Sequence, residues 1–115
     1  DPKQAFSDAA FEIAAAKQEL NALGVDFFDL PKASPKAEKT KAACMQVIGY
    51  LLHEPLLLQA VHKTACLPGK TLMQELGVNS KVLERHRKYI LAGLVILGGD
   101  YPTLQGYFDT RKGVR

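Results

Sequence analysis

The amino-acid sequence predicts an all-α fold, a single compact domain of about six helices that includes a helix-turn-helix with a long second helix. Apolar residues recur at helical spacing along most of the chain, and no stretch alternates apolar and polar residues as a strand would. With 115 residues, the chain is long enough for one hydrophobic core and too short for two ordinary ones. Its 47% hydrophobic and 23% charged residues are typical of a globular protein.

The first part of the chain, residues 1–33, is predicted to be a long helix followed by an apolar segment. Apolar residues recur at three- and four-residue steps from about Pro2 to Leu23, and Gly24 then acts as a stop signal. The short apolar run Val25–Leu30 is expected to form a helical turn or a packed loop, because no partner strand is predicted.

Two helices are predicted in the middle of the chain, residues 34–66. Ser34-Pro35 is a typical helix start, since the hydroxyl can accept a free backbone N–H and the proline ring suits the first turn. This helix is expected to continue to about His53. The next helix is predicted over Pro55–Ala65, with Leu56 among its core residues.

Residues 68–98 have the pattern of a helix-turn-helix. A short helix ends at Leu76, and Gly77 follows with the conformational freedom that a sharp, left-handed turn needs. Val78 is expected to fill the angle between the helices. A long second helix is predicted over Ser80–Leu97, with Ser80 as its cap and a rear half so apolar that it must thread the core.

The front of this second helix carries side chains of the kinds that contact base edges and phosphates in a major groove. These candidates for DNA binding are Asn79, Ser80, Lys81, Glu84, Arg85, Arg87 and Lys88. Arg85 suits a bidentate contact with guanine, while Lys81 and Lys88 suit phosphates. The same spacing also fits a plain helical hairpin with a solvated polar face.

Charge is distributed unevenly along a chain of net charge +3. Residues 1–30 carry two basic and six acidic side chains, a balance of −4, whereas residues 31–48 carry four against one and residues 68–99 five against two. This pattern indicates one protein-facing and one phosphate-facing surface, or else ordinary solvated helix faces. The candidates for further phosphate contacts are Lys36, Lys39, Lys41 and Lys70.

The end of the chain is predicted to be a short closing helix over residues 100–109, followed by a polar tail over residues 110–115. Leu104, Tyr107 and Phe108 are the expected apolar anchors of the closing helix.

Nothing in the sequence indicates an enzyme. The three histidines have no nucleophile or carboxylate arrangement beside them, and the two cysteines do not complete a zinc site. We therefore expect no catalytic residue, metal, cofactor or small-molecule substrate. The chain has no visible signal peptide and no run of about 18 apolar residues, and its two cysteines suggest a reducing compartment. We expect a cytoplasmic protein.

The run Leu83–Ile90, following Leu67-Pro68 and Gly77–Lys81, resembles the C-terminal domain of the sigma-I family, which are alternative RNA polymerase sigma factors of Gram-positive bacteria. Ser34-Pro35-Lys36 is similar to that family's domain entry, and Tyr101–Phe108 to its closing helix. The resemblance therefore covers nearly the whole chain. His86 departs from it, because a small polar residue such as asparagine is expected there.

This resemblance implies that the domain recognises the −35 promoter element in duplex DNA, while contacts with the RNA polymerase core and the −10 element belong mostly to an N-terminal sigma domain. It also implies an inhibitory partner, the cytoplasmic N-terminal domain of a membrane-anchored anti-sigma factor. In some members of the family the outer end of that partner senses polysaccharide.

The predicted surface for such a partner is the segment Asp26, Phe27, Phe28 and Asp29, which we expect to be separate from the basic reading face. The alternative interpretation is a helical interaction module that mainly binds the anti-sigma factor and contacts DNA weakly on its own.

Overall fold

The computed structural model describes residues 2–108, and the side chains of residues 8–106. Within residues 2–108 the chain forms eight α-helices, one 3-10 turn and no strand, which confirms the all-α prediction. The helices are α1 (Pro2–Ala22), α2 (Leu30–Ala33), α3 (Glu38–Leu52), α4 (Pro55–Thr64), α5 (Gly69–Leu76), α6 (Ser80–Arg85), α7 (Arg87–Gly98) and α8 (Pro102–Phe108), and the 3-10 turn is Phe27–Asp29. The predicted anchors Tyr107 and Phe108 and the predicted tail 110–115 lie outside the described side chains.

Helix α7 forms the centre of the fold. Every residue of Tyr89–Ile96 is buried, and α7 packs against α1, α2, α3, α6 and α8. A helix that is apolar on all sides is stable in water only when other elements surround it. The buried side chains of these helices form one hydrophobic cluster, so the prediction that this apolar segment threads the core is confirmed.

The sequence had predicted one continuous second helix in the helix-turn-helix, and this prediction is wrong. His86, with φ −110° and ψ 22°, leaves helical geometry and separates α6 from α7. Its ring nitrogen Nδ1 lies 2.7 Å from the carbonyl oxygen of Ala33, so the residue is held out of the helix by a contact 53 positions away in the sequence. Because of this break and the short α2, the described chain has more helices than the predicted six.

Two other local predictions were wrong. Ser34 does not begin α3: its hydroxyl donates to the carbonyl of Leu30 and so closes α2, and α3 begins at Glu38. Leu56 is 80% exposed, because the side of α4 that faces the core is the one that carries Val61, which is 1% exposed.

Helix α8 is attached to α1 through two acidic side chains. The carboxylate of Glu12 accepts hydrogen bonds from the backbone N–H groups of Thr103 (3.2 Å) and Leu104 (3.0 Å), which belong to the first turn of α8. The hydroxyl of Tyr101 donates to Glu19. Burial raises the pKa of Glu12, but hydrogen bonds from the backbone N–H groups of Leu104 and Thr103 and from the Thr103 side chain together lower it by more, so that the net pKa lies below the usual carboxyl value. Burial and the bond to Glu19 raise the pKa of Tyr101 to about 12.

Within residues 2–108, no helix is both long enough and apolar enough to cross a bilayer.

Candidate nucleic-acid interface

A sharp corner joins α5 to α6, as the sequence predicts. Gly77 has a left-handed conformation with φ +68°, and its backbone N–H donates to the carbonyl of Met73. A Cβ on Gly77 would meet no atom within 4 Å, so glycine is favoured here by its backbone angle rather than by crowding. Val78, Leu72 and Leu83 are buried in the common hydrophobic cluster beneath this corner. The corner is therefore a packed and defined junction.

Asn79, and not Ser80 as predicted, caps α6. The Oδ1 atom of Asn79 accepts a hydrogen bond from the backbone N–H of Lys81 at 2.8 Å. Both Asn79 and Ser80 are exposed. The cap satisfies one of the free N–H groups at the start of the helix and engages the oxygen that Asn79 would otherwise offer to a base.

The outer face of α6 carries three exposed side chains of the predicted reading surface, Lys81, Glu84 and Arg85. Their spacing of three and four residues brings them to one side of the helix. An α-helix with its side chains is about 10–12 Å in diameter, and a major groove is about 12 Å wide. Helix α6 could therefore enter the groove with this face towards the bases.

Arg87 and Lys88, which the sequence had assigned to the same surface, have partners within the protein. Arg87 is half-buried, and its Nη2 atom donates to the carbonyl oxygen of Ala65 at 2.8 Å. The ammonium of Lys88 lies 3.2 Å from the carboxylate of Asp29. The structure thus separates the predicted DNA-binding residues into an outward group on α6 and a group at the start of α7 that contacts other elements.

His86 is the residue of this region whose role the sequence did not reveal. It is 9% exposed and bridges the break between α6 and α7 to the end of α2. His86 lies within the polar run Glu84–Lys88, so the available signal was its departure from the asparagine expected at this position. That signal does not identify Ala33 as the partner.

The four lysines predicted to contact phosphate lie at helix beginnings. Lys36, Lys39 and Lys70 are exposed, at the entry to α3, in its first turn and in the first turn of α5. Lys41 is partly buried and lies 4.0 Å from Glu38, a weak ion pair.

The predicted partner segment is joined to the start of α7 by one ion pair. Asp26 caps the 3-10 turn by accepting from the N–H of Phe28. Phe28 is 70% exposed, and the ammonium of Lys17 lies 4.7 Å from its ring centre. Asp29 pairs with Lys88. This ion pair links the segment to the start of α7. That the segment forms a surface separate from the reading face on α6 stays a prediction.

An apolar groove of about 510 Å³ lies between this segment and the core helices. Its lining residues are Phe27, Phe28, Leu30, Pro31, Ser34, Pro35, Lys41, Tyr89, Ile96 and Leu104. The groove therefore has mostly apolar walls with one cationic side chain.

Comparison with known proteins identifies the chain's relatives. It is 33% identical over 85% of its length to the RNA polymerase sigma factor SigI7 of Acetivibrio thermocellus, and 34% identical over 90% of its length to the RNA polymerase sigma factor SigI of Bacillus subtilis. SigI2 of A. thermocellus is 29% identical over 85% of the chain. No family model matches the chain.

The chain covers 42% of the length of SigI7, 40% of the B. subtilis SigI and 37% of SigI2, so it spans about two fifths of the curated relatives that it matches. These relatives are RNA polymerase sigma factors, in agreement with the sequence-based prediction that the chain is not an enzyme.

Proposed function

Since this chain belongs to the family of the SigI RNA polymerase sigma factors, which it matches over most of its own length, we propose that it is the promoter-recognition domain of such a factor and reads the −35 element. The observation that carries this proposal is the exposed face of α6, with Lys81, Glu84 and Arg85 beyond the left-handed corner at Gly77. A short, capped helix held outside the core by a tight turn is the element that helix-turn-helix proteins insert into a major groove.

We assign the base contacts to α6 and its cap. Arg85 suits the two acceptors of guanine, and Glu84 can accept a hydrogen bond from the amine of cytosine. Lys81 suits a phosphate. Ser80 and the amide group of Asn79 lie at the start of the helix, the part that approaches the base edges most closely in related motifs.

Phosphate contacts outside α6 are assigned to lysines and to the start of α7. Lys36, Lys39 and Lys70 are exposed and can approach a DNA backbone, and Lys41 is a less accessible candidate. Lys88 can exchange its exposed ion pair with Asp29 for a phosphate, since surface pairs of this kind are weak.

In the whole sigma factor, we propose that this domain acts with the RNA polymerase core in the cytoplasm and is held inactive by a membrane-anchored anti-sigma factor that binds around Asp26, Phe27, Phe28 and Asp29. Control by polysaccharide would act through that partner. The apolar groove beside Phe28 favours the second candidate function, a module that chiefly binds the anti-sigma factor and contacts DNA weakly alone.

Salt dependence separates these two functions. The 115-residue chain is mixed with a pool of randomised duplexes, bound duplexes are recovered and sequenced, and the affinity of the selected duplex is measured by fluorescence anisotropy over a salt series. DNA recognition predicts an affinity that falls steeply with salt. The logarithm of the binding constant should fall with the logarithm of the salt concentration with a slope of about −0.9 per phosphate neutralised. No enrichment of any sequence, together with salt-insensitive binding of an anti-sigma domain, would favour the interaction module.

A further inference from the structure

Two consecutive side chains at the break between α6 and α7 bind the ends of two different helices. Nδ1 of His86 lies 2.7 Å from the carbonyl oxygen of Ala33, the last residue of α2. Nη2 of Arg87 donates to the carbonyl oxygen of Ala65, the residue that caps α4, at 2.8 Å. The break is therefore attached to α2 on one side and to α4 on the other.

Both acceptors are carbonyls that a helix leaves without a partner of its own. The last carbonyls of an α-helix receive no N–H from the following turn. Among the described residues, Ala65 is the non-glycine residue with a left-handed conformation, at φ +60°. This backbone angle at the end of α4 sets the direction of its carbonyl. Each bond from the break satisfies one of these carbonyls and adds a fixed point.

Helix α6 needs such fixed points because it has little core of its own. It is six residues long, and Leu83 is its buried side chain. Leu83 and the partly buried Val82 pack α6 against the core. One end of α6 follows the turn at Gly77 and the other meets the break at His86, so this limited packing and the two junctions determine its direction.

We propose that His86 and Arg87 are positioning residues: they set the angle at which α6 leaves the core, and through it the discrimination between DNA sequences. This inference rests on the proposed function and assigns Arg87 a role behind the reading face instead of on the DNA. A reading helix discriminates between bases only when its orientation is held closely, since small displacements misalign every contact at once.

Matched substitutions at His86 test the role of its hydrogen bond. His86→Asn keeps an N–H near the position of Nδ1, whereas His86→Leu has similar bulk and no donor. Affinities of the 115-residue chain for the selected duplex and for a scrambled duplex are measured over a salt series. We expect His86→Leu to reduce the ratio of the two affinities about tenfold, the effect of one mismatched base pair, and His86→Asn to restore most of it.

At Arg87 the salt series distinguishes positioning from a direct phosphate contact. Arg87→Met keeps most of the alkyl chain and removes the donor. A positioning role predicts that the ratio of the affinities for the selected and the scrambled duplex falls about tenfold. The dependence of each affinity on salt should stay unchanged, because no phosphate contact is lost. Equal weakening on both duplexes with a shallower slope would identify Arg87 as a phosphate ligand and overturn its positioning role.

Hydrogen exchange provides a readout that does not need DNA. In His86→Leu and in Arg87→Met, we expect backbone amides of residues 82–85 to exchange at least about tenfold faster, while those of residues 90–96 keep their protection. Unchanged exchange in α6, or equal acceleration in α6 and α7 through global unfolding, would overturn the inference. If the unmodified chain prefers no duplex, the proposed function fails, and this exchange measurement alone decides whether the two residues position α6.

Discussion

The ammonium of Lys88 lies 3.2 Å from the carboxylate of Asp29, and this pair joins the start of α7 to the turn between α1 and α2. The side chains are 42% and 46% exposed, so water screens the attraction and the pair contributes at most about 1 kcal/mol. In the proposed complex Asp29 competes with DNA phosphate for Lys88.

Removing the competing carboxylate should strengthen DNA binding. We expect Asp29→Asn to raise affinity about two- to fivefold on any duplex, within the energy of an exposed pair, because Lys88 is released and a negative charge is lost. Anisotropy titrations at low salt measure the effect. Asp100→Asn makes the same charge change in the loop after α7 and is the control. Equal gains from both substitutions would mean that net charge alone, and not release of Lys88, is responsible.

Arg85 and Lys81 should differ in their effect on sequence preference. Arg85→Ala is expected to cost about 1–3 kcal/mol on the selected duplex and to relax discrimination at one base pair, because a bidentate guanine contact is lost. Lys81→Ala should weaken all duplexes about equally. Competition titrations with single-base variants measure both. If Arg85→Ala affects scrambled DNA as strongly as the selected duplex, Arg85 does not read a base.

The two leucines of α5 should differ in their contribution to stability. Leu72 is 0% exposed, so Leu72→Ala is expected to lower the free energy of unfolding by about 2–5 kcal/mol. Leu76 is only partly buried, so Leu76→Ala should cost less. Urea denaturation followed by circular dichroism gives both values. A larger loss from Leu76→Ala would show that the end of α5 carries more of the core than its exposure indicates.

Glu12 should make the fold sensitive to acid. The pKa of Glu12 in the folded state lies below the usual carboxyl value. Its ionised form therefore stabilises the fold fully at pH values above that usual pKa, and this contribution is lost as the pH falls through the folded-state pKa. Glu12→Gln keeps an acceptor without the charge. We expect it to be less stable at neutral pH and to lose less stability on acidification. Urea denaturation at several pH values compares it with Glu54→Gln, an exposed control. Parallel stability curves for Glu12→Gln and the unmodified chain would contradict this.

Local signals in the sequence were sufficient for most of the helices and for the corner. The spacing of apolar residues predicted α1 and the apolar helix α7, and the Leu76-Gly77 pair predicted the left-handed turn. These features depend on side-chain periodicity and on the allowed backbone angles of single residues, both of which are read within a few positions.

The sequence by itself determined that this chain folds into helices around one largely apolar helix with a polar beginning, because those properties follow from the order of neighbouring residues. Only the tertiary structure decided that the predicted long helix is interrupted at His86, and that Arg87 and Lys88 contact Ala65 and Asp29. Those outcomes depend on helix ends 22 to 59 positions away. A polar side chain adjacent to such an end is drawn to its unpaired carbonyl or carboxylate, and no local pattern records that proximity.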